Sequence, residues 1–259
     1  MTRKNTGRTE TERKSRLFAG RNPENRQGEA MIDMHVHILP GVDDGSVSEV
    51  MTHDMLRRAR EAGVTSIICT PHVYDPRDQD FNRKPFLRTR EIAHRYGLAL
   101  SMGCEFNYRA ILKAGTAQLT NFCLGSTRCL LLEFGNEYLM PGWEGVVSEL
   151  MDNGYLPIIA HPERYLYIQR DFGIAQAMSD LGCEMQVDAG GLLARPLSAE
   201  RKTARRLLRE GLVSYVASDA HRPEHYDTFE RAYRTFRGEW PRENRLSAAL
   251  RALREERKA

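Results

Sequence analysis

The chain reads as an α/β protein with a parallel sheet, and three observations predict it. From Met31 onward, seven short apolar runs alternate with helical stretches across most of the 259 residues, the pattern of repeated βα units. The runs are largely apolar along their whole length, as expected for strands covered on both faces. Residues with metal-binding chemistry stand directly after the runs, and a βα barrel gathers its working residues at the C-terminal ends of its strands. Seven units are most economically closed into a TIM-like (β/α)7 barrel. An open doubly wound sheet is the alternative, but no GxGxxG or GxxxxGK(S/T) motif supports nucleotide binding in it.

The strands are expected at 31–36, 65–70, 98–103, 128–134, 156–160, 183–188 and 213–218. Helices are expected over segments such as 48–62, 142–153 and 198–210, and Gly63, Gly154 and Gly211 each stand where a helix should stop. Ser198 is placed to cap the helix that follows it. The segment 73–85 reads as a loop. A single domain is expected over 31–259, preceded by a terminal arm and ending in a helix of its own. Residues 1–30 hold eight Lys/Arg against four Asp/Glu and few large apolar side chains, which predicts a disordered basic arm. Over 242–259, Leu246, Ala249, Leu250 and Leu253 recur at helical spacing and predict an amphipathic helix.

Composition narrows the function. The 41% hydrophobic content is enough for a substantial core, and no apolar run approaches the length of a membrane span. With no apolar core of a secretion signal at the start, the expected location is the cytoplasm. The net charge of +3 resides in the basic arm, which alone is +4 and leaves the remainder at −1. That balance counts against a nucleic-acid partner. Five cysteines without CxxC spacing argue against a disulfide framework or a thiolate zinc knot, and four of them, in apolar surroundings, read as small buried hydrophobes. Nothing in the sequence sets an oligomeric state.

The strand ends carry the chemistry. The first delivers His35 and His37, two apart and therefore on one face, and then the loop Pro40-Gly41-Val42-Asp43-Asp44-Gly45. The second delivers His72, the third Glu105, the fourth Glu133 and the fifth His161, followed by Pro162-Glu163-Arg164. The seventh delivers Asp219 and His221. The sixth ends at Asp188 and offers no ligand set beyond that spare acid. His53 and His94 read as surface residues on helices, and His225 falls outside the strand ends. A single strand-end Glu or His is usually solvated or hydrogen-bonded. Six such ends together are different, because burying that many acids without cations is prohibitive. With Asp44 there are nine candidate ligands, too many for one ion and suited to two or three. Imidazole and carboxylate without thiolate suits Mn, Fe, Co or Zn. Three divalent ions on the four carboxylates among them would keep two net positive charges, the complement of a phosphomonoester dianion. No Cys-x-x-x-x-x-Arg loop offers a cysteinyl-phosphate route.

The run from Met31 to Gly45 resembles the opening of polymerase-and-histidinol-phosphatase (PHP) domains, and is most similar to the bacterial capsular-polysaccharide type of tyrosine phosphatase. Thr70-Pro71-His72, Gly103-Cys104-Glu105, Leu132-Glu133-Phe134, Ile159-Ala160-His161-Pro162-Glu163-Arg164 and Ala217-Ser218-Asp219-Ala220-His221 follow in that family's order. The resemblance implies a distorted (β/α)7 barrel with a centre of three ions, usually Mn2+. His35, His37, Glu105 and Asp219 would hold the first ion. Glu105, Glu133 and His161 would hold the second, and Asp44, His72 and His221 the third. It also implies that Arg164 contacts phosphate, with Arg222 as the second arginine although its loop is shortened here, and it leaves Asp219 as a candidate acid for the leaving oxygen. The expected substrate is a phosphotyrosine protein, the tail of a tyrosine autokinase at the inner membrane that controls capsule or exopolysaccharide export. The rival readings are a histidinol-phosphate phosphatase of the same fold, a nucleic-acid-associated PHP module and a non-catalytic metal-binding scaffold.

Overall fold

The computed structural model describes residues 31–241 and Leu246. The basic arm expected over 1–30 lies outside the described residues. So does the helix expected over 242–259, apart from Leu246, which is helical and buried.

Nine strands are present among the described residues: β1 (Met31–Val36), β2 (Val64–Cys69), β3 (His72–Val73), β4 (Ala99–Met102), β5 (Glu105–Asn107), β6 (Cys129–Glu133), β7 (Leu156–Ala160), β8 (Glu184–Asp188) and β9 (Tyr215–Ala217). They form two sheets, ordered β1-β2-β4 and β3-β5-β6-β7-β8-β9, and every pairing is parallel. The α/β class and the parallel pairing agree with expectation. Two short strands were not anticipated, because the second and third runs each break before their ligand. Pro71 has no N–H to donate and interrupts the ladder between β2 and β3. At Gly103, between β4 and β5, an added Cβ would lie 2.8 Å from Leu124 Cδ2 and 3.0 Å from Ile68 Cγ2. The two sheets nevertheless run on from one another, since Cys69 O accepts from Gly103 N at 2.9 Å and Pro71 O accepts from Glu105 N at 3.1 Å. At the other side, Asp219 N donates to His35 O and His37 N to Ala220 O, both at 3.0 Å.

The helices are α1 (Glu49–Glu61), α2 (Asp78–Arg95), α3 (Tyr108–Ala114), α4 (Trp143–Asp152), α5 (Leu166–Arg170), α6 (Gly173–Asp180), α7 (Ala189–Leu192), α8 (Ala199–Arg209) and α9 (His225–Thr235). Ser48 and Ser198 cap α1 and α8, each hydroxyl accepting a first-turn N–H at 3.2 Å. Gly63, Gly154 and Gly211 have φ of +93°, +79° and +73°, the left-handed stops expected after α1, α4 and α8. The segment 73–85 is not wholly a loop: α2 begins at Asp78 and passes through Pro85. Proline is a strong stop signal in sequence, but Ile92 and Ala93 are buried and Phe86 packs against the core, so tertiary burial outweighs it.

Two apolar clusters sit on opposite strand faces. Leu130 and Leu132 of β6, Ile159 of β7 and Val216 of β9 join the larger one with the helices. Cys129, Leu131, Ile158, Ala160, Tyr215 and Ala217, out of phase with them by one residue, form a smaller one with Met34, Ile68 and Leu124. Strands buried on both faces explain why their sequences are apolar without alternation.

Candidate metal centre

All nine sequence-predicted ligands converge at the C-terminal ends of the strands. Four overlapping groups bring one ligand atom per residue within 4.8 Å of one another: His37, Asp44, His72 and His221; His35, His37 and Asp219; His35, Glu105 and His161; His72, Glu105 and Glu133.

The strand-end backbone is what aims them. Register shifts between β1 and β2 across Asp33 to Val36 mark an irregularity next to His35 and His37, the kind of feature that re-aims side chains beside a site. Their Nε2 atoms lie 3.2 Å apart. Each ring is fixed from behind: His35 Nδ1 contacts Gln186 Oε1 at 2.9 Å, and His37 Nδ1 contacts Asp43 Oδ2 at 2.7 Å. Asp43 is itself held by Gly45 N at 3.0 Å. A proton on each Nδ1 leaves both Nε2 lone pairs facing the centre, the tautomer that metal ligation needs. His161 and Asp219 adopt positive φ of +33° and +46°, sparsely populated for such residues and common at functional sites.

Glu105 and Asp219 are almost fully buried at the middle of the cluster. Glu105 Oε2 lies 3.3 Å from His35 Nε2 and from His37 Nε2 and 3.0 Å from His72 Nδ1, while its Oε1 meets His161 Nε2 at 2.7 Å. Asp219 Oδ1 lies 3.3 Å from the same two Nε2 atoms. Neither Glu105 Oε2 nor Asp219 Oδ1 accepts a hydrogen bond of good geometry, although both are buried. Carboxylate oxygens that accept no hydrogen bond and are ringed by imidazole nitrogens are a donor set that fits divalent cations. Asp44 is exposed at the mouth, its Oδ1 3.4 Å from His72 Nε2 and 3.3 Å from His221 Nε2. Glu133 Oε2 accepts from Asn107 Nδ2 at 3.0 Å.

Charge follows this crowding. Burial opposes a proton on His35, but the Asp219 and Glu105 carboxylates outweigh it and push the imidazole up to about 9. Burial also works against ionised Glu105 and Asp219, yet the neighbouring His35 holds both well below the usual carboxylate range. In His221, burial and the adjacent His37 act together to lower the imidazole.

Arg164, in the 3-10 turn Pro162–Arg164 after β7, places Nη2 2.7 Å from Asp219 Oδ2 and 2.5 Å from Asp188 Oδ2. Arg222 follows His221 but is exposed, and among the described residues its side chain has no ion-pair partner. Sequence reasoning passed over Asp43, Gln186 and Asn107. Gln186 and Asp188, two apart on one strand, were the signal available for part of this. His225 also borders the site, its Nδ1 accepting from His221 N at 3.3 Å. His53 is not a surface residue: it is half-buried, with Nδ1 3.0 Å from the Tyr96 hydroxyl. His94 is exposed as expected, and the five cysteines are free and buried.

Comparison with known proteins gives a consistent picture. The family described as "Capsular polysaccharide synthesis, CpsB/CapC" matches residues 31–232. The tyrosine-protein phosphatase YwqE of Bacillus subtilis is 30% identical over 206 residues, 74% of this chain and 77% of that protein. The tyrosine-protein phosphatase CpsB of Streptococcus pneumoniae is 29% identical over 204 residues, 74% of this chain and 83% of that protein. A solved structure from work on these two proteins, described as unique metal-dependent tyrosine phosphatases, superposes with a TM-score of 0.70 at 28% identity, covering 80% of this chain and 87% of that one. With the motifs in order and the strand-end cluster in place, the chain belongs to the CpsB/CapC capsular polysaccharide synthesis family.

Proposed function

We propose that the chain is a metal-dependent phosphatase that hydrolyses phosphotyrosine esters on proteins. The observation that carries this reading is the convergence of nine imidazole and carboxylate ligands around two buried carboxylate oxygens that accept no hydrogen bond. The names of its relatives supply the substrate class. The run-on of the two sheets and the backbone bonds from His35 and His37 to residues 219–220 support a distorted (β/α)7 barrel of the PHP type.

Three ions, manganese with Fe, Co or Zn as alternatives, suit this donor set. His35, His37, Glu105 and Asp219 would hold one. Glu105, Glu133 and His161 would hold a second, and Asp44, His72 and His221 a third. When bound, such ions lower the pKa of water to give a nucleophile at neutral pH and offset phosphate charge. The protein's own groups do the rest. Arg164 has Nη2 committed to two acids, so its remaining N–H groups are the ones left to donate to phosphate oxygens. Arg222, exposed at the rim, is the candidate for a second such contact. Asp219 is ionised and shared between the cluster and Arg164, which aligns the two. A tyrosine phenolate leaves easily enough that a dedicated acid is not required.

The family description points to capsular polysaccharide synthesis, and the partner proposed within it is a tyrosine kinase at the inner membrane. The cytoplasm is the compartment this implies, and no described helix is long and apolar enough to cross a membrane. The test compares phosphate release from a phosphotyrosine peptide and from histidinol phosphate. Faster turnover of the peptide is expected, abolished in His35→Ala, Glu105→Ala and His161→Ala. Preference for histidinol phosphate, or full activity in those variants, would overturn the reading.

A further inference from the structure

β8 supplies no member of the four ligand groups, yet it stands directly behind them. Met185 and Val187 lie in the larger core cluster, so Gln186 and Asp188, one residue out of phase, face the other way together. Both are buried, at 0% and 1% exposure. His35 Nδ1 meets Gln186 Oε1 at 2.9 Å, and Gln186 Nε2 donates to Asp188 Oδ1 at 2.8 Å. Asp188 Oδ2 lies 2.5 Å from Arg164 Nη2, and that nitrogen donates to Asp219 Oδ2 at 2.7 Å. Asp219 Oδ1 is 3.3 Å from His35 Nε2, so the circuit returns to the ring where it began.

Each link has a fixed sense. Gln186 Oε1 also faces His161 N at 3.4 Å, so the amide oxygen must point at the two donors and the NH2 group at Asp188. Asp188 is pinned in turn by its own N–H, which donates to Glu163 Oε1 at 2.8 Å. Glu163 occupies space that only a glycine leaves free, since a Cβ on Gly191 would lie 2.6 Å from Glu163 Oε1.

We infer that Gln186 and Asp188 are positioning residues on one strand, Gln186 for the metal cluster and Asp188 for the phosphate-binding arginine. Gln186 holds His35 in the tautomer that turns Nε2 toward the cations. Asp188 is a second anionic anchor for Arg164. With Asp219 alone, the guanidinium would be free to swing. With two acids sharing one Nη2, its plane is set for the phosphate. The inference rests on the metal-dependent phosphatase reading for what the two sites bind.

The experiment uses the full chain, with manganese and inorganic phosphate as probes. Manganese binding is measured by calorimetry without substrate, and phosphate binding is measured on protein saturated with manganese. Gln186→Leu should weaken manganese binding by about 10- to 100-fold, as removal of outer partners of metal ligands does, and leave phosphate binding within about twofold. Asp188→Asn should do the reverse: manganese binding within about threefold, but phosphate Kd and peptide KM raised about tenfold or more with a smaller change in kcat. Asp188→Glu, which restores the charge, should recover part of the phosphate affinity. Unchanged phosphate binding in Asp188→Asn, or equal losses in Asn and Glu, would overturn the role of Asp188. Unchanged manganese binding in Gln186→Leu would overturn that of Gln186. Loss of both probes together in both variants, with a lowered Tm, would reduce the circuit to a structural one. If the wild type binds manganese and phosphate but does not cleave phosphotyrosine, the substrate reading fails while the circuit stays testable by binding.

Discussion

Asp43 and Asp44 are neighbours of the same residue type with different work. Asp43 turns back to His37 Nδ1 at 2.7 Å, while Asp44 reaches forward to His72 and His221 at the mouth. Sequence offers little to tell them apart, because the distinction is made by the turn between Gly41 and Ser46. The ligands themselves were legible because His, Asp and Glu after an apolar run have few other reasons to be buried together. Their outer partners were not, because an Asn, Gln or Asp acquires its partner only from the fold. Asp43→Asn should lower metal affinity or turnover by about 10- to 100-fold, read by metal titration beside phosphatase assay; wild-type values would contradict the role given to it. Gly45 sits so close that an added Cβ would be 2.2 Å from His37 O. Gly45→Ala should therefore displace the turn and His37 with it. The expected outcome is loss of most activity while circular dichroism still reports a folded protein.

Elements were read well where local chemistry decides them. Apolar runs, Ser198 as a cap, and glycines with positive φ marked most boundaries to within a residue or two. Elements decided by tertiary contact were missed: the breaks at Pro71 and Gly103, and the continuation of α2 through Pro85. Ser198→Ala should cost about 1 kcal/mol of unfolding free energy, measured by urea denaturation, because it removes the hydroxyl that accepts Arg201 N. Gly103→Ala should cost about 1–3 kcal/mol by crowding Leu124 and Ile68 where β4 passes into β5. An unchanged midpoint there would mean that the backbone at this break has room to move.

For the molecule as a whole, the parallel arrangement matters because it points every strand's C-terminal end the same way. Residues as distant in sequence as His35 and Asp219 then meet within 3.3 Å. The strand-end rule made this legible, whereas the closeness of Arg164 to Asp188 depends on how β7 and β8 pair and could not be read from spacing. The central claim is that this shared rim holds cations needed for phosphoester hydrolysis. The direct test is phosphate release from a phosphotyrosine peptide by protein stripped with chelator, dialysed and then titrated with manganese. The account predicts negligible release from the stripped protein and full recovery at a fixed stoichiometry of added metal. Undiminished release from protein shown by elemental analysis to be metal-free would contradict it.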